Sequence, residues 1–153
     1  MTTRLTAQDA QLSLRGHAAA KGAEIHAKYG PDLGWHQLQR LLTDRACVRY
    51  PCELVFDAGP LHPGECAFAS PRGAVPEAGF ILYVHPYSRA QSGRVTWLVL
   101  YQLVLVNYGE FAGPEDAEAF GAAALGIGED EYYRDLCALA DELQAELPAQ
   151  VGA

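Results

Sequence analysis

The amino-acid sequence predicts an α+β fold in which helices pack around a small, mainly antiparallel sheet. Three observations support this prediction. The segment Val95–Tyr108 is apolar on every side, which is typical of a buried helix. The middle of the chain combines short apolar segments with turns rich in Pro and Gly, as short strands do. Both ends show helical spacing of apolar residues. With 153 residues, the chain is expected to form a single domain, 1–153.

Two N-terminal helices are expected within residues 7–43. The first runs from about Ala7 to Tyr29 and ends at Gly30-Pro31, a pair that stops helices. The second runs from Leu33 to about Thr43, with Asp32 as its N-cap. Apolar residues recur at helical spacing along it, namely Trp35, Leu38, Leu41 and Leu42.

The sheet is expected within residues 48–85. Cys47–Phe56 is partly β-branched or aromatic, and Pro51 restricts it to an edge strand or a strand with a bulge. A short strand is predicted at Glu65–Ala69. Gly79–His85 is the clearest strand in the chain, and turn-forming segments rich in Pro and Gly separate the three.

Three C-terminal helices are expected within residues 95–147. The central helix ends at Gly109, and the next begins at Gly113-Pro114 and runs to about Leu125. A final helix is expected from about Asp130 to Leu147. Its apolar face consists of Tyr133, Leu136, Cys137, Ala140 and Leu143.

The central helix carries two amides, Gln102 and Asn107, within its apolar run. Buried polar side chains need hydrogen-bond partners, so these positions predict specific contacts. If Gln102 is merely packed, a Leu should be tolerated there, whereas a Glu should be clearly destabilising because it buries a charge.

The composition argues against several classes of partner. The net charge is −8 and no run of Lys and Arg interrupts it, so nucleic acid is not expected. The apolar part of the central helix, Val95–Val106, is shorter than the roughly 20 residues of a membrane span. The N-terminus lacks the apolar core of a signal peptide, which predicts a cytoplasmic protein. The four cysteines form no CxxC pair.

The segment Leu100–Gly109 resembles the HExxH helix of zincin metallopeptidases with its chemistry replaced. In that motif two His residues at i and i+4 bind zinc, and the Glu between them acts as the base. Here Tyr101 stands at the first His position, Gln102 at the Glu position and Leu105 at the second His position.

The helix that follows adds to the resemblance. Pro114–Phe120 is similar to the second helix of gluzincin-type enzymes, which supplies an acidic third ligand. Glu118 matches that ligand best, with Glu115 and Asp116 as near alternatives. The two preceding strands, Glu65–Ala69 and Gly79–His85, resemble the small sheet before the active-site helix.

The resemblance implies a zincin-like fold without catalysis. Tyr and Leu cannot replace two imidazoles on zinc, and Gln cannot take a proton from water. No catalytic residue, metal ligand or cofactor is therefore expected, and Tyr101 or Gln102 could instead hydrogen-bond Glu118. The implied role is binding of a protein or peptide partner, with a homodimer as one form. An exposed strand edge such as Glu65–Ala69 would accept a chain by strand addition.

Two alternatives remain open. The first is a hydrolase that uses a non-standard metal or Cys/His site near His62, Glu65, Cys66 and His85, residues that are close in sequence or on the neighbouring strand. Asp57 could complete a nucleophilic set with Cys66 and His85. The second alternative is a structural or assembly protein without a ligand.

Overall fold

The structure is a computed structural model that describes residues 6–90 and 92–146. In these residues five α-helices and three strands form an α+β fold, as expected. In chain order they are α1 (Ala7–Tyr29), α2 (Trp35–Leu42), β1 (Cys52–Phe56), β2 (Ala67–Pro71), β3 (Phe80–Val84), α3 (Ser92–Tyr108), α4 (Pro114–Leu125) and α5 (Glu129–Glu146).

The sheet is mixed rather than mainly antiparallel. Its strand order is β1-β3-β2, with β2 antiparallel to β3 and β1 parallel to β3. Two parallel strands need a crossover connection between them, and the segment between β1 and β3, which contains β2, provides it. β1 begins only after Pro51, and β2 lies two residues later than the expected Glu65–Ala69. Both outer strands are therefore sheet edges.

The predicted helix ends agree closely with the structure where Gly and Pro determine them. α1 and α4 have the expected bounds, and α3 ends before Gly109, whose positive φ of 71° suits glycine. Asp32 is not the N-cap of α2, because Gly34 occupies that position. α2 starts at Trp35, two residues later than expected, and the preceding Leu33 is buried in the core. The expected end of the last helix, Leu147, lies outside the described residues.

α3 is the buried centre of the fold. Its apolar side chains are enclosed by the sheet, α2, α4 and α5, and the most deeply buried are Val95, Val99, Leu100 and Leu103. An apolar helix of this kind is stabilised by packing on all sides rather than by one amphipathic face. No described helix combines the length and the apolarity that a membrane crossing needs.

Two glycines let the surrounding helices approach each other closely. A Cβ at Gly22 of α1 would lie 2.3 Å from the carbonyl oxygen of Phe120 in α4. A Cβ at Gly121 would lie 2.3 Å from the ring of Tyr132 in α5, which is fully buried. The Tyr132 hydroxyl donates to the Trp97 carbonyl at 2.6 Å, which joins α5 to α3. The contacts of Tyr132 therefore fix α5 beside α4 and α3.

Replacing Thr96 with Val should stabilise the fold. Thr96 is fully buried, and its hydroxyl oxygen Oγ1 has no hydrogen-bond partner in the described part of the chain. Thr96→Val removes the unpaired hydroxyl at nearly constant volume, so we expect a gain of about 1–2 kcal/mol in the free energy of unfolding. Urea denaturation measures it. Val99→Thr, at a fully buried position of the same helix, is the matched opposite change and should destabilise. A loss of stability in Thr96→Val would contradict this assignment.

Candidate functional site

The two amides of α3 hold the backbone on either side of the helix. Gln102 Oε1 accepts a hydrogen bond from the Ala69 amide of β2 at 3.1 Å. Asn107 Oδ1 accepts from the Arg49 amide at 2.8 Å, and its Nδ2 donates to the Cys47 carbonyl at 2.9 Å. The prediction that both positions make specific contacts is confirmed, and their partners are backbone groups of the same chain.

The bond from Ala69 protects the free edge of β2. The pairings of Cys66 with His85 and Arg72 with Gly79 set the ladder, so residues 67, 69 and 71 point their backbone groups away from β3. Gln102 occupies the amide of Ala69, and Pro71 has no amide hydrogen. Strand addition was expected along Glu65–Ala69. In the described part of β2, only the amide of Ala67 remains free on the outer edge, so this edge offers few donors to an added strand.

An apolar groove lies between α3, α5 and the start of β2. Its volume is about 240 Å³. We call it the α3–α5 groove, and its lining consists of Cys66, Ala67, Leu98, Tyr101, Gln102, Tyr133, Leu136, Cys137 and Ala140. Two of the positions identified by the HExxH resemblance, 101 and 102, are thus part of one cavity.

Two side chains of this groove have free hydrogen-bond donors. The Tyr101 hydroxyl and Gln102 Nε2 have no partner in the described residues, and neither atom is enclosed. Burial, with a smaller contribution from Glu118, raises the pKa of Tyr101, so its hydroxyl stays protonated at neutral pH. The groove can therefore donate two hydrogen bonds to a ligand with oxygen acceptors.

Glu118 lies near Tyr101 but is not bonded to it. Burial, reinforced by the neighbouring carboxylates of Glu129 and Glu115, raises the pKa of Glu118. The charge of Glu118 contributes in turn to the raised pKa values of Tyr101 and Tyr132. In the described residues no hydrogen bond joins Glu118 to Tyr101 or Gln102, and Gln102 bonds β2 instead. Leu105 is half-buried one turn after Tyr101.

The alternative site near β2 is used for local structure. Glu65 Oε1 accepts from the His62 amide at 2.8 Å, and Nδ1 of His85 accepts from the Tyr87 amide at 3.1 Å. Burial raises the pKa of Cys66, which keeps its thiol protonated and weakly nucleophilic. In residues 6–90 and 92–146 no group of three or more His, Cys, Asp or Glu side chains is placed to hold a metal ion.

The same turn chemistry applies to Asp57, the third member of the nucleophilic set. Its Oδ1 accepts from the Gly59 amide at 2.9 Å, and its backbone amide donates to the Val84 carbonyl. The carboxylate thus stabilises the turn after β1. This bond pattern is that of an Asx-type turn, which a Pro/Gly-rich sequence such as residues 57–64 commonly contains.

Sequence reasoning missed the second wall of the groove, which α5 provides. Helical spacing predicts that one face of the final helix consists of Tyr133, Leu136, Cys137, Ala140 and Leu143. In the structure Tyr133 is 54% exposed and Cys137 is exposed as well, whereas the preceding residue, Tyr132, is fully buried. Periodicity identified the apolar face, but it could not show that this face opens onto a cavity.

No family model, curated protein or solved structure matches this chain. The α3–α5 groove combines apolar walls with two free side-chain donors.

We expect Gln102→Leu to destabilise the fold more than Gln102→Glu, which reverses the order expected from the sequence. Leu leaves the buried Ala69 amide unpaired, at a cost of about 1–3 kcal/mol. Glu retains an acceptor for that amide, and a half-buried side chain at the groove keeps its charge in contact with water. Urea denaturation at neutral pH compares them. Gln39→Leu, at an exposed position of α2, is the control and should be nearly neutral. If Gln102→Leu and Gln102→Glu lower the free energy of unfolding equally, or if Gln102→Glu lowers it more, the bond to Ala69 does not stabilise the fold.

Proposed function

We propose that this domain is a non-catalytic binding module that holds one apolar side chain of a peptide partner in the α3–α5 groove. The observation that carries the proposal is the pair of unpartnered donors, Tyr101 and Gln102, in a cavity with otherwise apolar walls. Peptide-binding sites combine apolar pockets for side chains with a few polar groups that fix the orientation of the backbone.

The size of the groove favours a side chain over a larger ligand. Pockets for drug-sized molecules have volumes of roughly 300–1,000 Å³. At about 240 Å³, this groove suits a single large apolar residue. The donors Tyr101 and Gln102 then reach the backbone carbonyls that flank that residue, since peptide carbonyls are acceptors. Because the edge of β2 is protected, the peptide lies across the groove instead of extending the sheet.

The chemistry of the lining supports binding rather than catalysis. The Tyr101 hydroxyl and the Cys66 thiol both have raised pKa values because they are buried, so neither is an activated base or nucleophile at neutral pH. Gln102 has no basic group, and its carbonyl oxygen is already bonded to Ala69.

Kinship with gluzincin-type metallopeptidases is part of the proposal. Its support is that Tyr101 and Leu105 are separated by one turn of a buried helix, and that Glu118 of the next helix lies near Tyr101. In this hypothesis Gln102 replaces the Glu that activates water in the enzymes, and it bonds the backbone of β2 instead.

Blocking the groove should abolish peptide binding. A peptide selected from a random heptapeptide phage library on the full chain is the probe, and fluorescence anisotropy measures its affinity. Ala140→Trp places an indole in the groove and should remove binding, whereas Ala138→Trp, on α5 outside the groove, should leave it unchanged. Tyr101→Phe removes one donor and should weaken binding by about 2- to 12-fold. Peptides that bind the Ala140→Trp and Ala138→Trp variants equally, or a selection that yields no peptide, would overturn the proposal.

The kinship is tested separately by restoring the motif. We expect a variant with Tyr101→His, Gln102→Glu and Leu105→His to bind zinc at one ion per chain, with Glu118 as the third protein ligand. Metal analysis after gel filtration measures the zinc, and circular dichroism checks the fold. Adding Glu118→Gln should release the metal. A folded triple variant that binds no zinc, or that keeps its zinc without Glu118, would contradict the kinship but not the peptide groove.

A further inference from the structure

A second cavity carries the opposite charge to the rest of the protein. It has a volume of about 300 Å³ and lies between α1, the end of α3 and the segment that joins α2 to β1. We call it the cationic pocket, and the side chains that give it its character are His17, Lys21, Arg45, Arg49, Asn107 and Tyr108. We propose that this pocket binds a small oxyanion, specifically the phosphate group of a small molecule.

The two arginines of this pocket are not neutralised by carboxylates. In the described residues five cations form ion pairs, and they are Arg15, Lys21, Lys28, Arg72 and Arg94. Within residues 6–90 and 92–146, Arg45 and Arg49 form no ion pair, although the chain has a net charge of −8. Two unpaired guanidinium groups at one cavity give an acidic protein a local site for an anion.

The guanidinium groups are held in position by backbone carbonyls. Arg45 Nη1 donates to the Leu42 carbonyl at 3.2 Å, and Arg49 Nη1 donates to the Asn107 carbonyl at 3.4 Å. Each bond uses one nitrogen and leaves the remaining donors of the planar fork for a ligand. Arginine can bind phosphate through two parallel N–H donors, and Nη2 and Nε of each guanidinium remain for such a pair.

The loop that carries Arg49 is fixed from inside the fold. Asn107 bonds the Arg49 amide and the Cys47 carbonyl, and between them Val48 is fully buried. Lys21 Nζ donates to the Ala46 carbonyl at 3.2 Å from the opposite wall. The pocket is therefore built before a ligand arrives, which reduces the entropy lost on binding.

Two carboxylates approach the pocket, and both are already engaged. Glu24 pairs with Lys21 at 2.8 Å on the exposed rim, where solvent screens it. Asp44 bonds Lys28 and Tyr29, and these bonds hold the pKa of its carboxyl well below the usual range. Neither carboxylate lines the cavity. His17 and Tyr108 complete the wall with a mutual hydrogen bond of 2.7 Å.

The ligand is small because the surroundings are acidic. A polyanion such as nucleic acid would place many phosphates close to the acidic surface of a protein with a net charge of −8, which repels them. A single phosphate group feels mainly the nearest charges, since salt screens interactions beyond roughly 8 Å at physiological ionic strength.

The test is thermal unfolding of the full chain in sodium phosphate against sodium chloride at matched ionic strength. A ligand that binds the folded state raises the Tm by mass action. Phosphate should therefore raise the Tm beyond the general stabilisation that an excluded ion gives, and Arg45→Gln should remove this additional increase. Arg45→Gln and Arg49→Gln should each weaken phosphate binding by about tenfold or more. Arg134→Gln, at an exposed and unpaired position of α5, is the matched control and should leave the shift unchanged.

The outcomes separate binding from general salt effects. A shift that is equal in phosphate and chloride, or equal in Arg45→Gln and Arg134→Gln, would overturn the proposal. Arg49→Gln also removes a bond to α3, which lowers the stability of the fold itself. Arg45→Gln is therefore the principal test variant. A phosphate titration followed by the phosphorus NMR line width measures binding independently of the Tm. Loss of peptide binding has no bearing on this result, because the two cavities share no lining residue.

Discussion

The fold depends on enclosing α3 without leaving its amides unpaired. A helix that is buried on all sides gains stability from packing, but each buried polar group without a partner costs about 1–3 kcal/mol. Gln102 and Asn107 meet this constraint by bonding the backbone of β2 and of the segment before β1. Those bonds fix the position of the sheet edge and of the Arg49 loop. The α3–α5 groove and the cationic pocket are each bounded by one of these segments.

The close packing of the outer helices places the remaining walls. Gly121 lets Tyr132 enter the core, where its hydroxyl bonds the Trp97 carbonyl. The next residue, Tyr133, then faces outward over the groove. On the other side, Gly22 brings α1 against α4, so His17 and Lys21 of α1 reach the end of α3. Both cavities are consequences of helix placement, and small residues determine that placement.

The sequence predicts local features well and long-range ones poorly, for a physical reason. The ends of α1 and α4 follow from Gly30, Pro114 and similar residues, which act on their immediate neighbours. Strand order and direction depend on the path of the whole chain, so the parallel pairing of β1 with β3 could not be read from alternation. The cationic pocket was missed for the same reason, since Lys21 and Arg49 are far apart in sequence.

Gln102 shows how one side chain can serve the fold and a ligand together. Because the Ala69 amide is a donor, it fixes the carbonyl oxygen of Gln102 towards β2, and the planar amide must then direct Nε2 elsewhere. A Glu at this position would satisfy β2 equally but would present a second acceptor to the groove. A Leu would do neither. An amide is therefore the side chain that both supports the sheet edge and gives the groove a donor for a peptide carbonyl.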